Sequence, residues 1–176
     1  MQNQLGWKLS GQNSQKPDLV LIGIGSNRDP EINIPKALQL LSAQVSVLQV
    51  ASIWQTSAIG SDGPDYLNSA VLIESRLNLE QLKSLVLSKI EKELGRVRST
   101  DKNADRTIDL DILIYDGTCL DEDLWCRAHV AVPAAEIYPD CINLQSGETL
   151  LQASKRLSSG EKRIKRVDLT RNSQNS

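Results

Sequence analysis

Apolar and polar positions along the chain predict strands that alternate with helices. Continuous apolar runs at residues 19–25, 66–75 and 106–115 are typical of buried strands, and residues 45–56 form a further strand of weaker pattern. Glycine, proline, serine and aspartate residues between these runs mark the turns. The pattern therefore predicts a sheet of at least these strands.

Two segments between the strands show helical spacing. Residues 34–44 place their apolar side chains on one face, with Pro35 in the first turn after an Asn33 cap. A second helix is expected to start after Asn78 and to end before Gly95. The order β-α-β-β-α-β predicts an α+β fold of the ferredoxin-like type, an antiparallel sheet with the helices packed on one face.

The 176 residues are expected to form one domain over residues 17–158. Residues 1–16 are polar and predict a disordered lead, and residues 159–176 predict a polar tail. Between residue 117 and this tail the pattern weakens to a helical turn at 134–138 and a short helix at 147–157, which form a C-terminal extension of the core.

Composition excludes several classes of protein. A formal charge of −2 and 3% aromatic residues argue against a nucleic-acid-binding surface. No apolar run approaches the roughly 20 residues that span a bilayer, and the N-terminus resembles no secretory signal. Three cysteines without a C-x-x-C pair fit a cytoplasmic location. His129 is the only histidine, and no nucleophile motif accompanies it.

The segment Arg106–Tyr115 carries the clearest chemistry. Asp109 and Asp111 are two positions apart on a strand, so they share one face and lie about 6.5 Å apart. Two neighbouring carboxylates at a buried strand are costly unless a cation neutralises them. Oxygen ligands on a rigid strand suit Mg²⁺, which fills its shell with water and phosphate oxygens. The pair predicts a metal-dependent phosphate site, with Arg106 as a phosphate ligand.

A simpler interpretation of this segment stays open. Asp-x-Asp pairs also occur as solvated or salt-bridged acids at strand ends. In that case Arg106 would form only a salt bridge with Asp109 or Asp105.

From residue 18 to about residue 157 the chain resembles the 6-hydroxymethyl-7,8-dihydropterin pyrophosphokinases. The R-x-x-D-L-D-I element at Arg106 is the family's most specific motif, and the other matching segments lie in the same order with suitable spacing. In chain order these segments are IGIGSN (22–27), the helix end Ala37-Leu38-x-x-Leu41, the loop 56–60, PDYLNSAV (64–71), IEKELGRVR (90–98), RTIDLDILIYDG (106–117) and VPAAEIYPD (132–140).

This resemblance implies a reaction and a set of site residues. Family members transfer pyrophosphate from ATP to the hydroxymethyl oxygen of the reduced pterin in folate biosynthesis, and they release AMP. The resemblance implies two Mg²⁺ ions at Asp109 and Asp111, and ATP as co-substrate. It assigns pterin binding to Thr56, Tyr66 and Asn68, nucleotide binding to Glu91 and Arg96, and both nucleotide binding and catalysis to Arg98, Arg106 and Arg127. Small molecules are the only partners it implies.

The chain departs from the family pattern in two places. The catalytic loop of the family usually contains Trp-Gly-Pro before the motif arginine, where this chain has Asn103-Ala104-Asp105. A Pro-His segment that normally precedes the position of Arg127 is missing, and His129 stands where an aromatic residue would stack on the pterin. These changes predict weaker ATP affinity and slower turnover.

Three functions therefore remain as alternatives. The first is an active pyrophosphokinase. The second is a catalytically weak or inactive pterin- or nucleotide-binding relative. The third, a nucleotidyltransferase, ranks last because its Gly-Ser pair should lie close before the Asp-x-Asp, whereas Gly25-Ser26 and Asp109 are far apart.

Overall fold

The computed structural model describes residues 16–57, 64–97, 106–160 and 164–169. The elements are, in chain order, β1 (Asp18–Ser26), α1 (Pro30–Ser42), β2 (Ser46–Val50), β3 (Ile53–Thr56), β4 (Tyr66–Ser75), α2 (Leu79–Gln81), a π-helical segment (Leu82–Leu87), α3 (Ser88–Glu93), β5 (Asp109–Tyr115), β6 (Thr118–Cys119), α4 (Asp123–Cys126), α5 (Ala128–Ile137), α6 (Leu150–Gly160) and β7 (Lys165–Val167).

The strands form one antiparallel sheet in the order β6-β5-β1-β4-β3-β7, and β2 also pairs with β4. The strands β1 and β4 lie in the middle of the sheet and carry mostly apolar side chains, as expected where both faces are covered. This arrangement confirms the predicted ferredoxin-like α+β fold.

Side-chain alternation divides the core between the two faces of the sheet. On one face, Ile22 of β1 and Ile112 of β5 pack in a cluster that includes Leu41 of α1 and Ile90 of α3. On the other face, Leu21 lies in a second cluster with side chains of the C-terminal extension, from α4, α5 and α6. The predicted helices therefore share one face, and the extension packs on the opposite face.

The predicted strand at 45–56 and the first predicted helix differ from the structure. The strand predicted at 45–56 is two strands, because the Ala51 N–H donates to Ala70 O at 2.8 Å and the next N–H, of Ser52, donates to Glu136 Oε2 of α5 at 2.6 Å. The first helix starts at Pro30 rather than at residue 34. Pro35 therefore lies inside the helix instead of in the turn that follows an Asn33 cap.

The second helix agrees with its predicted boundaries. Asn78 Oδ1 accepts from the Gln81 N–H and Gln81 Oε1 accepts from the Asn78 N–H, which forms a capping box. Gly95 follows its end with a φ of 76°, a conformation that glycine adopts without steric cost. In the extension, the helical turn predicted at 134–138 is the longer helix α5, and the helix predicted at 147–157 is α6.

None of the helices in the described parts of the chain is long and apolar enough to cross a membrane.

Candidate phosphate and metal site

The carboxylates of Asp109 and Asp111 lie on the face of β5 that carries the C-terminal extension. Asp109 pairs with Gly25 of β1, and Asp111 pairs with Gly23. A Cβ added to Gly25 would lie 3.5 Å from Asn68 Oδ1 of β4. Because glycine has no side chain, the surface between Asp109 and Asn68 is left open for a ligand.

Two arginines hold Asp109. Arg106 Nη1 donates to Asp109 Oδ2, and Arg96 Nη1 lies 2.5 Å from Asp109 Oδ1. Asp109 Oδ1 nevertheless accepts no hydrogen bond of acceptable geometry from the described residues, and it is shielded from solvent. The contact with Arg96 is therefore an ion pair without hydrogen-bond geometry.

Glu91 lies behind this pair and is only 6% exposed. Its Oε1 accepts from Arg96 Nη1 and from the Leu110 N–H at 3.1 Å. Burial raises the pKa of Glu91, opposed chiefly by the bond from Leu110 and by the charge of Arg96. Glu91 thus ties α3 to the strand segment between the two aspartates and holds the Arg96 guanidinium.

Asp111 is the exposed member of the aspartate pair. Loss of hydration around its carboxyl group, followed by repulsion from Asp109, raises its pKa to about 6. Together with Glu91, the aspartates contribute three negative charges against the two positive charges of Arg96 and Arg106 when all are ionised. The cluster therefore carries an excess negative charge that favours a cation.

The donor set fits Mg²⁺. The described residues contain no group of three or more histidine, cysteine, aspartate or glutamate side chains that would enclose a metal. Mg²⁺ needs no such cage, since it binds through one or two carboxylates and completes its shell with water and substrate phosphates. The exposed carboxylate of Asp111 and the carboxylate of Asp109 on the same face of β5 supply suitable oxygens.

The Ser26-Asn27 pair positions Arg106 at the entry of β5. The Arg106 N–H donates to Asn27 Oδ1 at 2.7 Å, and the Asn27 N–H donates to Arg106 O at 3.1 Å. The Ser26 hydroxyl donates to Thr107 O at 2.6 Å. These bonds bring Arg106 beside Asp109, although strict alternation along a strand would place residues three positions apart on opposite faces.

We expect Asn27→Ala to lower the free energy of unfolding by about 1–2 kcal/mol, because it leaves the Arg106 N–H without its acceptor. Asn27→Asp retains an acceptor oxygen, so we expect it to lower the free energy of unfolding by less. Urea unfolding measures both variants. Asn33→Ala is the matched control, because the Asn33 side chain bonds locally, to the nearby Arg28 O. Equal stability of Asn27→Ala and the wild type would contradict the role given to Asn27.

A second polar group lies two strands away from Asp109. Asn68 Nδ2 donates to Thr56 Oγ1 at 2.9 Å, and both side chains are buried. Tyr66 pairs with Thr56 between β4 and β3 and is half-buried. The residues predicted to bind the pterin are therefore neighbours in the structure.

The register connects this polar group to the aspartates. Trp54, Asn68, Gly25 and Asp109 are cross-strand neighbours on β3, β4, β1 and β5, and they share one face of the sheet. With about 4.8 Å between adjacent strands, this cross-strand row spans about 14 Å. The sequence analysis did not single out Trp54, although its alternation with Thr56 places it on this face.

Arg127 is the remaining predicted residue that the structure describes, and its ion pair does not involve Asp109. Arg127 is at the start of α5, is half exposed, and forms an ion pair with Asp123 at an Nε–Oδ1 distance of 3.5 Å. Arg98 and the altered catalytic loop at 99–105 lie outside the described residues.

Comparison with known proteins identifies the family. Residues 21–139 match the model of the 7,8-dihydro-6-hydroxymethylpterin-pyrophosphokinase (HPPK) family. The 2-amino-4-hydroxy-6-hydroxymethyldihydropteridine pyrophosphokinase of Methylorubrum extorquens is 35% identical over 156 residues, which cover 81% of this chain and 96% of the relative. The Synechocystis protein of the same name is 32% identical over 143 residues, 75% of this chain and 72% of the relative. The chain belongs to the HPPK family.

Solved structures support the same fold. A Plasmodium falciparum HPPK-DHPS structure with pteroate superposes with a TM-score of 0.67 at 9% identity and covers 88% of this chain. An HPPK-DHPS structure in complex with substrates gives a TM-score of 0.66 at 10% identity and covers 85% of this chain. The present chain spans about half the length of these HPPK-DHPS chains, at 47% of each.

Proposed function

We propose that this protein transfers pyrophosphate from ATP to 6-hydroxymethyl-7,8-dihydropterin, with Mg²⁺ held by Asp109 and Asp111. Membership of the HPPK family gives the reaction and its place in folate synthesis. The observation that carries the metal assignment is the aspartate pair on one face of β5, in which Asp111 is exposed, together with the excess of negative charge in the cluster.

Bound Mg²⁺ would neutralise the triphosphate and stabilise the charge that moves to the leaving AMP oxygen. Two ions are proposed by analogy with two-metal phosphoryl-transfer sites. Asp109 and Asp111 would be their protein ligands, and ATP would be the co-substrate.

The arginines are proposed to share the triphosphate charge. The Arg106 side chain is 39% exposed and lies at the mouth of the site, so it can turn from Asp109 to a phosphate. Arg127 is exposed and would reach the nucleotide from the start of α5, and Arg98 is proposed as a third cation. Arg96 is more buried and stays near Glu91. We therefore propose that Glu91 positions Arg96 instead of contacting the nucleotide itself.

The pterin is proposed to lie over Gly25, next to Thr56, Tyr66 and Asn68. Its hydroxymethyl oxygen would attack the β-phosphorus of ATP while the bond from that phosphorus to the α–β bridging oxygen breaks. AMP then carries away the bridging oxygen, and the hydroxyl proton is released. Alignment and electrostatic stabilisation supply the catalysis, so no protein nucleophile is required.

We expect the purified protein to form AMP and the pterin diphosphate from ATP and the pterin when Mg²⁺ is present, and to form neither with EDTA. Chromatography of the nucleotides measures the reaction. A folded protein that forms no AMP, beside an active HPPK, would contradict catalysis. Calorimetry would then test the alternative, an inactive binding relative, which the replaced Trp-Gly-Pro residues favour.

We also propose that the protein is cytoplasmic. Cys119, Cys126 and Cys141 are free thiols, which fits the reducing cytoplasm. Small-molecule substrates are the only partners that the proposal requires.

A further inference from the structure

Trp54 carries a polar group that the fold leaves unused. Its indole Nε1 is shielded from solvent and has no hydrogen-bond partner among the described residues. By contrast, the indole Nε1 of Trp125 donates to Cys119 Sγ at 3.3 Å. A buried donor without an acceptor is costly, and folded proteins satisfy nearly all such groups. An unpaired donor therefore requires an explanation where it occurs.

The position of Trp54 points to a ligand. Trp54 is the direct cross-strand neighbour of Asn68, and it is two residues from Thr56 on the same face of β3. The Asn68 amide group already donates to Thr56 Oγ1. Trp54, a neighbour of both residues in the sheet, consequently carries a donor that no protein atom in the described region uses.

The charge pattern of the cross-strand row indicates which substrate meets this donor. Asp109 and its arginines occupy one end and would take the triphosphate and the metal. At the opposite end, Trp54 and Asn68 are followed in the row by Arg166 of β7, the cross-strand partner of Trp54, so this end carries no carboxylate. Such an end suits a flat heterocycle whose edges carry hydrogen-bond acceptors.

We propose that Trp54 is a specificity-determining residue that donates its indole N–H to an acceptor of the pterin ring, a ring nitrogen or the 4-oxo oxygen. This bond forms only in the complex and fixes the ring on the side of Gly25 that faces Asn68 and Trp54 in the row. The inference rests on the proposed function, because it needs the pterin to bind over Gly25.

The test follows the tryptophan indole resonances of the ¹⁵N-labelled full chain, assigned through the backbone. Mg²⁺ and a non-hydrolysable ATP analogue are added first, and the pterin second. We expect the Trp54 indole proton to move downfield when the pterin is added. The Trp125 indole, which already has an acceptor, serves as the reference and should move much less. This measurement needs no variant at position 54.

Calorimetry on the same sample separates the two levels of the proposal. If the pterin does not bind, both the proposed function and the role of Trp54 are wrong. If the pterin binds and the Trp54 indole proton does not move, only the role of Trp54 is wrong.

Trp54→Phe supplies a kinetic test, because it removes the donor and keeps an aromatic ring. We expect the KM for the pterin to rise about tenfold, because this is the effect of losing one hydrogen bond to the ligand. The KM for ATP should stay unchanged. A purely structural role would change both constants together. An unchanged pterin KM would overturn the proposal.

Discussion

Asp111→Asn is expected to reduce turnover about a thousandfold, the scale on which a lost charge-stabilising contact acts in an enzyme site. The substitution keeps the shape of the side chain and removes the charged oxygen proposed as a metal ligand. Steady-state AMP formation at saturating ATP and pterin measures the loss. Binding of Mn²⁺ in the presence of nucleotide, followed by electron paramagnetic resonance, should weaken in parallel.

The control for this variant is Asp116→Asn. Asp116 ends the same strand region with a φ of 44°, a left-handed conformation that asparagine also tolerates. The substitution Asp116→Asn removes one negative charge from the same sheet without changing the proposed site, so turnover should stay near the wild-type value. Full activity of Asp111→Asn would rule out Asp111 as a metal ligand.

Asp111→Asn should also be more stable than the wild type when no metal is present. The folded-state pKa of Asp111 is raised from 3.8 to about 6, so the metal-free wild type loses stability as the pH rises from about 4 to about 6. Solvent screening of this exposed group limits the effect to about 1 kcal/mol. Thermal unfolding in EDTA should show a larger advantage for Asp111→Asn at pH 7.5 than at pH 4.5.

Arg96→Met is expected to lower both turnover and stability. It removes the guanidinium that contacts Glu91 and Asp109, which are 6% and 8% exposed. Breaking a buried ion pair on one side leaves an uncompensated charge, and we expect a loss of about 2 kcal/mol because Arg96 is partly exposed. Turnover should fall about a hundredfold. Urea unfolding and AMP formation measure the two effects.

The double variant Glu91→Gln/Arg96→Met separates these effects. Glutamine keeps an oxygen for the Leu110 N–H and removes the buried charge, so most of the lost stability should return while turnover stays low. Arg156→Met is the control for loss of an exposed ion pair, here with Glu148, and should cost at most about 1 kcal/mol with turnover retained. A stable Arg96→Met variant would show that Glu91 does not depend on Arg96.

Local pattern was sufficient for the elements that are stabilised within a short stretch of chain. The strand at 66–75 was predicted with the bounds of β4, because ten residues with mostly apolar side chains suit only a covered strand. The helix cap at Asn78 and the end before Gly95 were also predicted, since both depend on residues within one turn. The aspartate pair was also predicted from a local pattern, because Asp109 and Asp111 are only two residues apart.

The start of the first helix was a local error, whereas several other features depend on distant residues. The break between β2 and β3 depends on the bond from the Ser52 N–H to Glu136, 84 positions away, which no local pattern reveals. The pairing of Arg106 with Asn27 crosses 79 positions and turns Arg106 toward Asp109. The unpaired Trp54 N–H is likewise visible only once every neighbour is placed.

The amino-acid sequence by itself determined the β-α-β-β-α-β order of the core, the common face of Asp109 and Asp111, and the family resemblance, because side-chain alternation and short motifs are properties of neighbouring residues. It did not reveal β7, which pairs with β3 within the segment predicted to be a polar tail. Only the tertiary structure decided that Glu91 is buried behind Arg96, that two arginines meet Asp109, and that Trp54 shares a row with Asn68 and Gly25. These arrangements arise from strand pairing between distant segments, and pairing register is set by the packing of the whole sheet.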